Sequence, residues 1–146
     1  MTIREAIDRL DALVPNAFTK HDKTVWLATL DGRIYEELVK THAGAGEWHD
    51  YVDDTDGTTQ LLVPFPFDDI YITWLSMQVS LFNSEITRYN NEAVRFNAQF
   101  EAFANFYNRT HMPLGKRFCY FGKDDGAAGG GRVKSREGEK IADPLS

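Results

Sequence analysis

Cysteine is almost missing from this chain. Cys119 stands alone, which excludes an internal disulfide and leaves any thiolate metal site short of ligands. A lone thiol also fits a reducing cytoplasm better than an oxidising compartment. Long apolar runs are missing as well: none approaches the roughly 18 residues that a membrane-spanning helix requires. The opening MTIREAIDRL alternates charge with apolar residues and so lacks the apolar core of a secretory signal. Basic charge is in deficit, with 16 Lys and Arg against 22 Asp and Glu and a net charge of −6. That balance argues against nucleic acid as the main partner, because phosphate binding needs a positive field. No internal repeat and no catalytic signature is visible. The residues point to architecture and assembly, and the chain reads as a non-enzyme with no cofactor.

What is present divides at about Pro113. Residues 1–113 read as a helical body, with room for one modest core in a chain of 146 residues. Residues 114–146 read as an extended, Gly-rich C-terminal arm, with Gly126 to Gly131 (GAAGGG) and no hydrophobic periodicity. Such a segment has too little apolar surface to fold alone and suits a flexible linker ordered by neighbours. Charge divides with the pattern. Residues 1–114 hold 9 Lys and Arg against 17 Asp and Glu, a net −8, whereas residues 115–146 hold 7 against 5, a net +2. The basic tail either seeks an acidic surface, its own or a partner's, or is an ordinary solvated mixed-charge segment.

The body reads as four helices. Thr2 with Glu5 forms a capping box, Ile3, Ile7, Leu10 and Val14 share one face, and Pro15 marks the exit. Thr19 with Asp22 opens a second helix whose buried stripe is Leu27, Leu30, Ile34 and Leu38, widened by Val25, Trp26 and Tyr35. Gly32 within it costs about 1 kcal/mol against Ala, so a close helix contact is expected there. Gly44 and Gly46 end that helix. Residues 48–52 and 58–63 flank an acidic turn, Asp53-Asp54-Thr55-Asp56-Gly57, which reads as a hairpin or an extended loop. Asp68 or Asp69 is expected to cap a third helix over roughly 68–87. Ile70, Trp74, Met77 and Leu81 form one apolar line on it, and Tyr71, Leu75, Phe82 and Ile86 a second, as in a central element. Arg88-Tyr89-Asn90-Asn91 reads either as a turn capped by Asn90 or Asn91 or as a kink in one long helix. A fourth helix, about 91–111, carries the aromatic comb Phe96, Phe100, Phe103, Phe106 and Tyr107. The fold class is therefore mainly α: a small bundle of four helices, a short hairpin or extended loop between the second and third, and an extended C-terminal arm.

Several patterns invite a chemistry and then fall short of it. Asp54, Asp56 and Gly57 resemble a calcium loop, but Val63 stands where its bidentate carboxylate belongs. His21, His42, His49 and His111 have no metal-site spacing; His42 and His49 could meet Asp50 or Asp53 around zinc only through the fold. An enzyme built on His49, Asp50 and Asp53 around a metal is the reading to beat on the catalytic side. Cys119 lies in an apolar patch with no visible activating charge. The comb as a base-stacking platform gives way to core packing, or to a core extended into a subunit contact, because it sits at helical spacing in an acidic chain. Gly129-Gly130-Gly131 has no phosphate-loop context. The patch Phe118, Tyr120 and Phe121 alternates like a strand just outside the body. It either adds to a neighbouring subunit, by strand addition or in a groove, or folds back on its own helices. With Arg132, Lys134 and Arg136 it forms the set of candidate partner contacts.

Three stretches resemble small proteins encoded in tailed-phage and prophage structural modules. They are Ile86 to Asn91, Phe96-Asn97-Ala98, and Phe103 to Pro113 (FANFYNRTHMP). Ile3 to Leu10 with Asn16, and Leu61-Leu62-Val63-Pro64 leading to Asp69, are similar too, so the likeness covers about residues 2–113. Nothing beyond 114 matches. The resemblance is to head–tail connector (neck adaptor) proteins. It implies a structural virion protein forming a homo-oligomeric, dodecameric ring that joins the portal protein to a tail or stopper protein. It further implies that DNA passes without sequence-specific binding, that the chain resides in the virion neck after assembly in the host cytoplasm, and that it touches no membrane. That class has no catalytic residues to transfer. The alternative is a small non-enzymatic phage or prophage adaptor that binds a host or regulatory protein through its aromatic face.

Overall fold

The computed structural model describes residues 1–51 and 57–114. Four helices carry the fold: α1 (Ile3–Leu13), α2 (Lys20–Glu37), α3 (Ile70–Phe82) and α4 (Ile86–Thr110), with one 3-10 turn, Val39–Thr41, after α2. Met1–Met112 is one compact unit; of the other, Pro113–Ser146, only Pro113 and Leu114 are described. The expected C-terminal arm therefore lies outside the described residues from 115 onward. The mainly helical bundle is as the periodicity predicts.

Both capping boxes form. Thr2 Oγ1 accepts the Glu5 amide at 3.2 Å, and the Glu5 carboxylate accepts the Thr2 amide at 3.2 Å. Thr19 and Asp22 repeat the exchange at the start of α2. A helix start leaves further amides without intrahelical partners, and α1 finds these from far along the chain. Ile3 N–H donates to the Thr59 carbonyl at 3.1 Å and Arg4 N–H to the Gly57 carbonyl at 2.9 Å. The bridge between Thr2 and Gln60 continues that pairing. Gly57 makes it possible: its φ is +71°, and a Cβ there would lie 3.0 Å from the Arg4 Cβ.

The segment between α2 and α3 is thus an extended loop laid along the start of α1. No strand ladder forms among the described residues, and the acidic turn expected at its tip, 53–56, lies outside them. α2 ends at Glu37, before Gly44 and Gly46. Its close contact at Gly32 is made by the Trp48 indole, 3.2 Å from a notional Cβ, and not by another helix. Any side chain at position 32 would displace that ring.

α3 is the central helix, buried at Ile70, Tyr71, Ile72, Leu75, Met77 and Val79. It packs against α1, α2 and α4, whereas α4 packs chiefly on α3. Asp69 stands at the N-cap position of α3, but its side chain makes no capping hydrogen bond. The chain enters α3 through successive tight turns, Phe67 N–H to the Pro64 carbonyl at 2.9 Å and Tyr71 N–H to the Asp68 carbonyl at 3.2 Å. Backbone carbonyls therefore serve the amides that a side-chain cap would have served.

The interruption expected at 88–91 is also displaced. Residues 86–110 are one continuous helix, and the break falls at Asn83 to Glu85. Ser84 takes φ +62°. Glu85 N–H donates to the Ser80 carbonyl at 2.8 Å and Ser84 N–H to the Leu81 carbonyl at 3.1 Å, which together make a Schellman stop. Ile86, assigned to the third helix from its spacing, therefore begins α4. Asn90 and Asn91 sit inside it.

α4 spans 25 residues against 13 for α3, roughly 37 Å against 20 Å at 1.5 Å per residue. Its second half outruns α3 and is received by the loop. Phe67 packs on Phe103 and Phe106 at ring separations of 5.9 and 4.8 Å, and His42 meets Tyr107 at 5.0 Å. Trp74 meets Phe96 at 5.3 Å nearer the other end. The aromatic comb is core packing, with Phe103 fully buried and its companions half-buried.

Candidate functional site

One polar cluster lies at the heart of the body. Asp31 belongs to the apolar stripe of α2, between Leu27 and Ile34, and is fully buried. Its Oδ1 accepts the Tyr71 hydroxyl from α3 at 2.5 Å, and its Oδ2 accepts the Leu62 amide at 3.0 Å together with the Tyr51 hydroxyl. Tyr71 in turn accepts the Val63 amide at 2.7 Å. One carboxylate thus clasps α2, α3 and both described ends of the loop, and four buried or half-buried donors find acceptors. Burial raises Asp31 above its ordinary carboxyl value, and the hydrogen bonds from Tyr51, Tyr71 and Leu62 oppose that without outweighing it. Burial, then the Asp31 charge, pushes both tyrosines well above the usual phenol range. Tyr51 is fixed from outside by Trp48, edge-on at 5.8 Å, which stacks on Tyr35 at 6.3 Å. Both Asp31 oxygens are thereby engaged, so the cluster acts as a structural clasp.

A second tie closes the far end. His42 is buried; its Nδ1 bonds the Leu38 carbonyl at 2.7 Å and its Nε2 bonds Asn108 of α4 at 2.8 Å. Both ring nitrogens are occupied, which removes His42 as a ligand. His49 lies exposed beside Glu47 at 3.4 Å, Asp50 is exposed, and Asp53 lies outside the described residues, as do Asp54 and Asp56 of the calcium-like turn. Among the described residues no group of three His, Cys, Asp or Glu side chains is placed to hold a metal. Among them, too, no helix is long and apolar enough to cross a membrane.

The surface carries its own signal on α3 and α4. The last turn of α3 exposes Leu81 and Phe82, and the first half of α4 exposes Ile86 and Val94, the last of these 71% accessible. Phe82 stacks flat on Trp26 at 5.5 Å, with Phe18 against both. These residues form the candidate contact face. The six side chains selected from the sequence, Phe118, Tyr120, Phe121, Arg132, Lys134 and Arg136, lie outside the described residues, as does Cys119. Sequence reasoning missed Asp31, Tyr51 and Tyr71. The available signal was an acidic residue on a stripe otherwise made of Leu27, Leu30, Ile34 and Leu38. Comparison with known protein families, with curated proteins and with solved structures gives no match.

Proposed function

We propose that this chain is a non-enzymatic structural subunit of a tailed-phage neck, a head–tail connector that assembles as a ring between the portal and a tail or stopper protein. The observation that carries the reading is the one-sided seating of α4. Among the helices it packs chiefly on α3, while its Ile86 and Val94 stay exposed, as do Leu81 and Phe82 in the last turn of α3. A small body with an uncovered apolar helix face suits a protein completed by copies of itself, since oligomerisation supplements a limited core. A heterologous contact that closes on itself gives a ring, taken as dodecameric from the resemblance. The acidic composition suits a conduit that DNA phosphates pass without sticking. Its place would be the virion neck, reached from the host cytoplasm during assembly. The adaptor alternative, which relies on the aromatic face of α4, has less support, because those rings are committed to Trp74, Phe67 and His42.

Mass photometry of the purified chain, alone and with portal protein, tests the proposal. Ring-sized assemblies on the portal are the expected result. A chain that stays monomeric and ignores the portal at micromolar concentration would overturn it.

A further inference from the structure

α1, α3 and α4 together line a groove with more positive than negative side chains. The groove measures about 360 Å³, and its polar wall is Arg9, Asp69, Thr73, Arg95 and Gln99. Its lining holds two guanidiniums and one carboxylate in a chain of net charge −6. Among the described residues Arg9 is held by an exposed 3.4 Å contact to Asp69. Arg95 has no ion-pair or hydrogen-bond partner among the described residues. Ile72 and the exposed Leu13 supply an apolar side to the same groove. One further group is unsatisfied: Gln99 Oε1 is buried without a hydrogen-bond partner.

We propose that this groove binds a carboxylate-bearing peptide segment of a protein partner, an acidic residue with an apolar neighbour. The excess of one positive charge matches one carboxylate, and guanidinium forks suit its planar geometry. A phosphate dianion would carry surplus charge beside Asp69, which disfavours it. The apolar neighbour covers Leu13 and Ile72. A peptide also brings N–H groups, and rotation of the Gln99 amide about its soft terminal torsion lets Oε1 accept one. A free inorganic anion brings no N–H group and no apolar neighbour. The assignment stands on this groove alone and is independent of the connector reading.

The test is a titration of the full chain, followed by amide and side-chain NMR, with a blocked dipeptide of leucine and glutamate. Saturable shifts at the Arg95 Nε–H and the Gln99 side-chain amide are expected. Arg95→Gln should weaken binding by about tenfold or more, the loss expected for a charge-assisted hydrogen bond. Glu101→Gln, an exposed change on another face of α4, should leave binding unchanged, and both variants should melt as the parent does. No saturable shift, equal binding of the leucine–glutamine dipeptide, or equal binding of inorganic phosphate would each overturn the proposal.

Discussion

Asp31→Ala is the perturbation that most directly probes why this body holds together. The substitution strands the Tyr71 hydroxyl, which is fully buried, and the Tyr51 hydroxyl and Leu62 amide, which are half-buried. An orphaned buried donor costs about 1–3 kcal/mol. Placing Tyr71 at the upper end and the other two near the lower end gives a loss of about 3–5 kcal/mol. A domain of this size is stable by roughly 6–16 kcal/mol, so the loss is a large fraction of the whole. Asp31→Asn keeps one acceptor oxygen and should cost less, about 1–3 kcal/mol. Tyr71→Phe should cost about 2 kcal/mol, because it also deprives the Val63 amide of its acceptor. The assay is urea unfolding followed by tryptophan fluorescence, for which Trp48 is a local reporter, its ring 5.8 Å from that of Tyr51. The double variant Asp31→Ala with Tyr71→Phe should lose clearly less than the two single losses combined, since they break one shared bond. A loss below about 1 kcal/mol for Asp31→Ala, or full additivity, would refute the clasp.

Two further expectations concern pH and the α3–α4 stop. Because burial raises Asp31, the folded chain holds that proton more tightly than the unfolded chain does. Its contribution is therefore complete below an ordinary carboxyl value of about 3.9 and is lost as pH rises through the raised folded-state value. The stability advantage of the parent over Asp31→Asn should shrink with rising pH across that window, as read from urea midpoints. An advantage that grows would mean that the hydrogen bonds outweigh burial. Ser84→Gly should stabilise the protein by about 0.5–1 kcal/mol, because glycine takes the left-handed conformation of the stop without steric cost. Calorimetry should show a melting point a few degrees higher, and a lower one would contradict the observed turn.

The helices were largely legible because their signals are local. Thr2 with Glu5 and Thr19 with Asp22 announce helix starts within four residues, and the stripe of α2 reads directly as its buried side. The α3–α4 break was not legible, because its stop residue is a serine carrying no mark of a left-handed backbone. The Arg-Tyr-Asn-Asn run a little further along drew attention by composition alone. The clasp was hidden for a different reason. Asp31 lies 20 residues from Tyr51 and 40 from Tyr71, and only the folded chain brings them together. The offending charge at position 31 was visible, but its compensation was not. The contact face on α3 and α4 was equally obscure, since Phe82 and Ile86 repeat at helical spacing and read as core.

The one-sided seating of α4 sets an order of opening within the molecule. Its second half is pinned by Phe103 in the core and by Asn108 on His42, while no side chain of residues 86–95 is fully buried. Local opening free energy follows the number of buried apolar contacts, so the front of α4 is expected to open at lower cost than its second half. A protein that lets one rod lift while the other end stays latched can adjust its angle to whatever it meets.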